Sequence, residues 1–247
     1  QDWGLHKGSV AEWNGLVFVH PEQDAPDLHY WLGGLGERLK RFQTQKLIEL
    51  GSHHYEMAAN WKFYIENHVD WLHLYYLHAR SLKDFDHDLG EVTQQGPHWT
   101  SFEQPKPGAE ESVRQKKQTM EVLPGLNPED HHLGAHLIFP NMALFTSPNT
   151  FTSVYARPTG PESCRVELRI LGIEGSDTNP LNADEFTEVM NEDKKAAEQL
   201  QLAVHSPRFS VGPMAMTWEA PIANFHNHYS EAMNLGRSWA EPESRPE

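Results

Sequence analysis

Two histidines five residues apart, His73 and His78, constrain the local fold of this chain more than any other feature. On a regular helix of 3.6 residues per turn that spacing is a rotation of about 140°, so the two rings would point to different sides. For both to reach one partner, the helix that Trp61 to Ala79 otherwise suggests must carry a π-bulge or end near His78. Neutral imidazole binds iron, zinc, copper or nickel through one ring nitrogen. Two histidines with one carboxylate and open positions suit non-haem Fe(II) and oxygen chemistry. Asp70 stands three residues before His73, on the same helical face, where its carboxylate would accept from the ring and orient it. The flanking Trp61, Phe63, Tyr64, Trp71, Tyr75 and Tyr76 read equally as a packed aromatic face.

A third ligand must come from elsewhere. Ala183 to Ser206 is rich in Glu, Ala, Lys, Gln and Leu and is closed by Pro207, which predicts a helix. It contains Glu192-Asp193-x-x-x-x-Glu198-x-x-Gln201, whose acids read by default as a solvated face, with Glu192–Lys195 and Lys194–Glu198 as helical pairs.

These segments, taken together, resemble the C-terminal catalytic domain of the alpha subunit of Rieske non-haem iron ring-hydroxylating oxygenases. The matching pieces are Asn60-Trp61-Lys62, Glu66-Asn67, Asp70-x-x-His73-x-x-x-x-His78 and the late Glu192 to Gln201 motif. Trp13 to Pro21, Phe139-Pro140-Asn141, Arg157 to Pro161 and Glu219 to Phe225 are similar to further family segments in the same order. The resemblance implies mononuclear Fe(II) held by His73, His78 and Asp193. It implies Asp70 as the carboxylate that links the iron to the Rieske cluster of a neighbouring subunit, and Asn67 as a pocket residue beside the iron. His132 and His136 fall near the family's pocket strand and are candidate substrate contacts. The implied activity is insertion of one or two atoms of O2 into an aromatic or small organic substrate. The implied partners are a ferredoxin or flavin reductase as electron donor and further copies of the chain in a homotrimer. The implied fold is α+β of the helix-grip kind, a curved antiparallel sheet wrapped around a long helix.

The chain departs from the family in one respect. A Rieske [2Fe–2S] cluster needs two cysteines and two histidines, and Cys164 is the single cysteine. The cluster is therefore expected on an N-terminal domain outside this sequence or on another chain. Two readings without a cluster stay open: a zinc hydrolase on the same triad, and a metal-free ligand-binding module on the same fold.

Composition narrows the rest. With 38% hydrophobic and 11% aromatic residues in 247, the chain is expected to form one catalytic domain over residues 1–247, with a fraying tail at about 240–247. The net charge of −15, from 35 acidic against 20 basic residues, argues against nucleic acid as a partner. No apolar run approaches the ~20 residues of a membrane span. The lone cysteine fits a reducing cytoplasm, and Cys164 reads as a small buried hydrophobe. Gly-rich phosphate loops, nucleophile elbows and dinucleotide fingerprints are absent from the sequence. The adjacent pairs His53-His54 and His131-His132 read as polar surface or pocket lining.

Strands are expected at Leu16–Val19, within Lys46–Ala59, and at Ala135–Phe139, Ala143–Thr146, Thr150–Arg157 and Arg165–Gly172. The last alternates Val166, Leu168 and Ile170 against Glu167, Arg169 and Leu171. Leu28–Leu39 has helical spacing broken by Gly33, Gly34 and Gly36, and a final helix is expected near Ala223–Leu235. Ser81 to Glu129, with Pro97, Pro105, Pro107, Gly108, Pro124 and Pro128 among its residues, reads as an irregular excursion over the site entrance.

Overall fold

The computed structural model describes residues 4–105, 122–127, 133–176, 184–215 and 218–235. The chain starts with a hairpin of β1 (Ser9–Trp13) and β2 (Leu16–His20). Its turn is Asn14-Gly15, with φ of 53° and 83°, the left-handed pair that a two-residue turn between twisted strands demands. Trp13 pairs with Leu16 across it. Helix α1 (Leu28–Leu39) follows, started by the Asp27 carboxylate accepting from Tyr30 N at 2.8 Å and kinked at Gly33, where φ is 50°.

The centre of the fold is a seven-stranded antiparallel sheet, which bears out the α+β expectation. Its strands are β3 (Ile48–Met57), β4 (Phe85–Gln95), β5 (His98–Pro105), β6 (Leu133–Ile138), β7 (Met142–Thr146), β8 (Phe151–Gly160) and β9 (Ser163–Gly172). They are ordered β3-β9-β8-β7-β6-β5-β4. The alternation read in 165–172 holds: Cys164, Val166 and Leu168 are buried on one face, with Cys164 fully so. The region expected to be irregular instead supplies the β4–β5 hairpin, in register from Glu91–Phe102 to Gln95–His98. The part of that region from 106 to 121 lies outside the described residues, as do His131, His132 and the tail.

Both faces of the sheet are covered. On one, Trp99, Leu137, Ala143, Val154 and Val166 pack with Tyr64, Ile65 and Val69 of α2 (Trp61–Val69), Ala197 of α4 (Asp184–Ala203) and Phe225 of α5 (Ala220–Leu235). On the other, Phe102, Ile138, Met142, Leu144 and Phe151 pack with Leu28, Leu32, Leu35 and Leu39 of α1 and with Trp13 of the hairpin. Successive residues of β6 and β7 face opposite layers, as the pleat requires. Among the described residues, no helix is long and apolar enough to cross a membrane.

The helix expected over 61–79 is not continuous. Helix α2 ends at Val69, and Asp70 adopts an extended backbone (φ −71°, ψ 127°). A separate turn of helix, α3 (His73–Tyr76), then ends at Leu77. The spacing problem is thus solved by helix ends on either side of His73 rather than by a π-bulge, and His78 sits in the turn beyond α3.

Candidate metal centre

The sequence around the break explains it. Asp70 N still donates to Glu66 O at 2.9 Å, closing α2. The Asp70 carboxylate then accepts from Leu72 N (2.8 Å) and His73 N (3.0 Å), satisfying amides that the new helix leaves open. This corrects one expectation. The His73 ring is oriented by the Asp70 main-chain carbonyl, 2.7 Å from Nδ1, while the carboxylate is 3.7 Å away and occupied with backbone. The shorter, better-formed contact decides the geometry: Nδ1 carries the proton and Nε2 is left as a donor atom.

At the start of α2, Asn60 caps the helix by accepting from Lys62 N at 3.0 Å. Its backbone N–H donates to Gln201 Oε1 (2.9 Å), and Ala58 N donates to Glu198 Oε1 (3.0 Å). Two side chains of α4 therefore grip the backbone leading into α2. Lys194 does approach Glu198, at 3.9 Å, so the expected pair exists at the edge of contact, but the more consequential role of Glu198 is this main-chain anchor.

The same anchoring sets Asp193 beside the two histidines. Asp193 Oδ1 is 2.9 Å from His78 Nε2 and 3.9 Å from His73 Nε2, and the two ring centroids are 5.0 Å apart. One ligand atom from each of His73, His78 and Asp193 lies within 4.8 Å of the others. Bonds of about 2.0–2.2 Å from one ion to N and O ligands place the ligand atoms roughly 3–4 Å apart, so the set fits a single first-row metal. Asn67 Nδ2 donates to Asp193 Oδ1 at 2.8 Å, which fixes the carboxylate from the α2 side.

Glu192 is the functional candidate that the sequence reading left on the surface. Its Oε2 accepts from His78 Nδ1 at 2.8 Å and from Ser81 Oγ at 2.7 Å. Consecutive residues of α4 thus hold opposite nitrogens of one imidazole. The doublet Glu192-Asp193 beside a candidate ligand was the available signal. Electrostatics separate the two rings. Burial pushes the His73 pKa down to about 4, only partly offset by the charge of Asp193. Burial also opposes protonation of His78, but hydrogen bonds and charge from Asp193 and Glu192 outweigh it and raise its pKa. His73 is neutral at neutral pH, as a ligand must be.

Residues 45–235 match the family model for the catalytic domain of the ring-hydroxylating alpha subunit. The chain belongs to that family. Among its curated relatives is the glycine betaine monooxygenase oxygenase subunit of Chromohalobacter salexigens, 24% identical over 98% of this chain and 62% of the relative. The anthranilate 1,2-dioxygenase large subunit of Burkholderia cepacia is 25% identical over 73% of this chain and 47% of its own. The chain therefore spans about half to three fifths of the length of these relatives. In fold it is similar to the quaternary ammonium Rieske monooxygenase CntA (TM-score 0.71, 18% identity, covering 91% of this chain and 61% of that one). It is likewise similar to naphthalene 1,2-dioxygenase from Rhodococcus sp. (TM-score 0.63, 18% identity, 91% and 66%).

The structure does not bring every candidate residue to the triad. His136 is fully buried on the other face of the sheet, between Thr100 Oγ1 and Thr146 Oγ1 and against the Phe102 ring. A strand cannot turn both Leu137 and His136 to one side, and Leu137 is the one that packs toward α2. His53 and His54 are exposed on β3. His132 lies outside the described residues.

Proposed function

We propose that the chain is the mononuclear Fe(II) catalytic unit of a Rieske-type oxygenase, inserting one or two atoms of O2 into an aromatic or small organic substrate. The observation that carries this reading is the convergence of one ligand atom each from His73, His78 and Asp193 within 4.8 Å, with Asp193 Oδ1 3.9 Å from His73 Nε2 and 2.9 Å from His78 Nε2 and each Nδ1 already hydrogen-bonded elsewhere. Bound there, Fe(II) would supply the dioxygen chemistry suited to two histidines, one carboxylate and open positions.

The chain's own part is positional. The Asp70 carbonyl and Glu192 hold the Nδ1 protons of the two ligand rings, and Asn67 holds Asp193. The buried aromatics Tyr64, Trp71 and Trp99 keep bulk water from the adjoining core. Asp70, 18% exposed, is the route by which electrons from a Rieske cluster would arrive. That cluster belongs to a segment outside this sequence or to another chain, fed by a ferredoxin or flavin reductase. Assembly as a homotrimer in the cytoplasm completes the proposal. The names of the relatives support it, as Rieske oxygenases and as enzymes of small organic molecules.

The test is elemental analysis of wild type and His73→Ala purified without added metal. About one iron per chain, lost in the variant, is the expected result. Zinc in its place favours a hydrolase, and a folded protein with no metal favours a binding module.

A further inference from the structure

A cleft of about 360 Å³ opens where the start of α2, the β8–β9 turn and the end of α4 meet. Phe63, Pro161 and Val204 give it apolar walls, and Lys62, Glu66 and Gln201 belong to its polar lining. Its size suits a small organic molecule. It lies away from the triad: Gln201 stands eight residues beyond Asp193 on α4, a rise of about 12 Å along the helix.

Gln201 is the side chain that calls for a ligand. It is only 7% exposed. Its Oε1 accepts from Asn60 N at 2.9 Å. A backbone N–H only donates, which fixes the orientation of the amide and leaves Nε2 at its free end. That NH2 group has no hydrogen-bond partner among the described residues. It is not sealed in the core, so its protons face the cleft that Gln201 lines.

Lys62 adds a charge at the same place, in the first turn of α2. Its Nζ donates to Asn60 Oδ1 at 2.9 Å and lies near the Trp61 and Tyr229 rings. An ammonium has three donors, so this one acceptor leaves it capacity. Four residues on, about 6 Å along the helix, Glu66 supplies the opposite charge. Burial raises its pKa to about 7 and Lys62 offsets this only in part, so the carboxylate is short of positive partners. His226 Nε2 is 3.2 Å away, but burial lowers the pKa of that ring too. Glu162, on the rim, is already taken up by His205 Nε2 at 3.0 Å.

We propose that this cleft binds a free α-amino acid with an apolar side chain. Its carboxylate accepts from Gln201 Nε2 and Lys62 Nζ, its ammonium donates to Glu66, and its side chain lies against Phe63 and Val204. The two charged groups of such a molecule are separated by one carbon. With a hydrogen bond of about 2.9 Å at each end, they span a single helical turn. A carboxylate alone leaves Glu66 without a cation, and an amine alone leaves the Gln201 donor unused. The occupant bridges α2 and α4 beside the Asn60–Gln201 bond. None of this depends on the oxygenase reading.

The experiment titrates the full chain by ligand-observed NMR at about pH 8, where Glu66 is ionised. The probes are L-leucine, 4-methylpentanoate (leucine without its amine) and 3-methylbutylamine (leucine without its carboxylate). Gln201→Glu keeps the oxygen that accepts from Asn60 N but replaces the donor, and Glu66→Gln keeps the shape of the side chain, so neither strands a backbone group. His73→Ala tests for leucine chelating a metal at the triad instead. Leucine should bind wild type roughly tenfold or more tightly than either analogue, and each of the two cleft variants should weaken it by a similar factor. His73→Ala should leave it within about twofold. No binding of leucine, equal binding of either analogue, or wild-type affinity in Gln201→Glu or Glu66→Gln overturns the site. Loss of leucine binding in His73→Ala also overturns it, by moving the amino acid to the metal centre.

Discussion

Glu192 Oε2 accepts the Nδ1 proton of His78 at 2.8 Å, across 114 positions of sequence. A carboxylate behind an imidazole raises its basicity and locks its tautomer, and losing such a partner typically costs 10–100-fold in metal affinity. Glu192→Gln should therefore weaken iron binding by about that factor, read by competition with a chelator, while circular dichroism stays unchanged. Wild-type affinity in the variant would show that Ser81 and the turn alone fix the ring.

Asp70 has two separable jobs. Its carboxylate accepts two main-chain N–H groups, a capping role whose loss costs about 1–2 kcal/mol. Asp70→Ala should lower urea stability by that amount and keep most of the iron, whereas Asp70→Asn should recover much of the stability. If the carboxylate also carries electron delivery, Asn should stay as slow as Ala in reductant-coupled turnover. Full turnover by either variant would remove Asp70 from the electron route.

Glu66 gives a pH signature with a definite sign. Burial raises its pKa from 4.5 to about 7, against the lowering charge of Lys62, and His226 Nε2 sits 3.2 Å away. The folded chain holds this proton more tightly than the unfolded one. The resulting stabilisation is whole below about pH 4.5 and is lost as pH rises through about 7. Glu66→Gln should gain stability relative to wild type between pH 5 and 8. A pH-independent difference between the two proteins would contradict the burial argument.

His98 should behave in the opposite way. Its Nε2 donates to Trp31 O at 2.9 Å and its Nδ1 accepts from Phe139 N at 3.2 Å, tying α1 and the β6–β7 turn to β5. Burial holds its pKa at about 4. The stability this gives is present above the ordinary histidine value of 6.5 and is lost as pH falls toward 4. His98→Phe should cost about 2–4 kcal/mol at pH 7 through the two lost hydrogen bonds, with a smaller deficit at pH 5. Equal deficits at both values would mean the ring titrates normally.

What the sequence revealed and what it hid follow physical lines. The convergence of His73, His78 and Asp193 was legible because side chains able to hold one metal come from a short menu in recognisable spacing. The break at Asp70 was not. It depends on a carboxylate competing for two amides, which a helical periodicity count does not weigh. Strands β4 and β5 were missed because Phe85 to Gln95 is polar and charged and lacks strict alternation. Strand β1 had a usable sign in the Asn14-Gly15 turn. The placement of His136 was also within reach. Ala135 and Leu137 flank it, so a helix-facing pair required that His136 face the other way. Glu192 escaped for a different reason: its partner is distant in sequence, and an acid on an amphipathic helix is unremarkable without that partner.

The two bonds from Glu198 and Gln201 to the amides of Ala58 and Asn60 bear on kinetics. They tie the helix of Asp193 to the entrance of the helix preceding His73 and His78 through protein hydrogen bonds. The long loop closure that joins position 193 to positions 73 and 78 is completed when the chain folds, not when metal arrives. Metal should therefore come and go as from a rigid chelator, at rates set by water exchange and access. Amide hydrogen exchange at Ala58 and Asn60 should hardly register its departure.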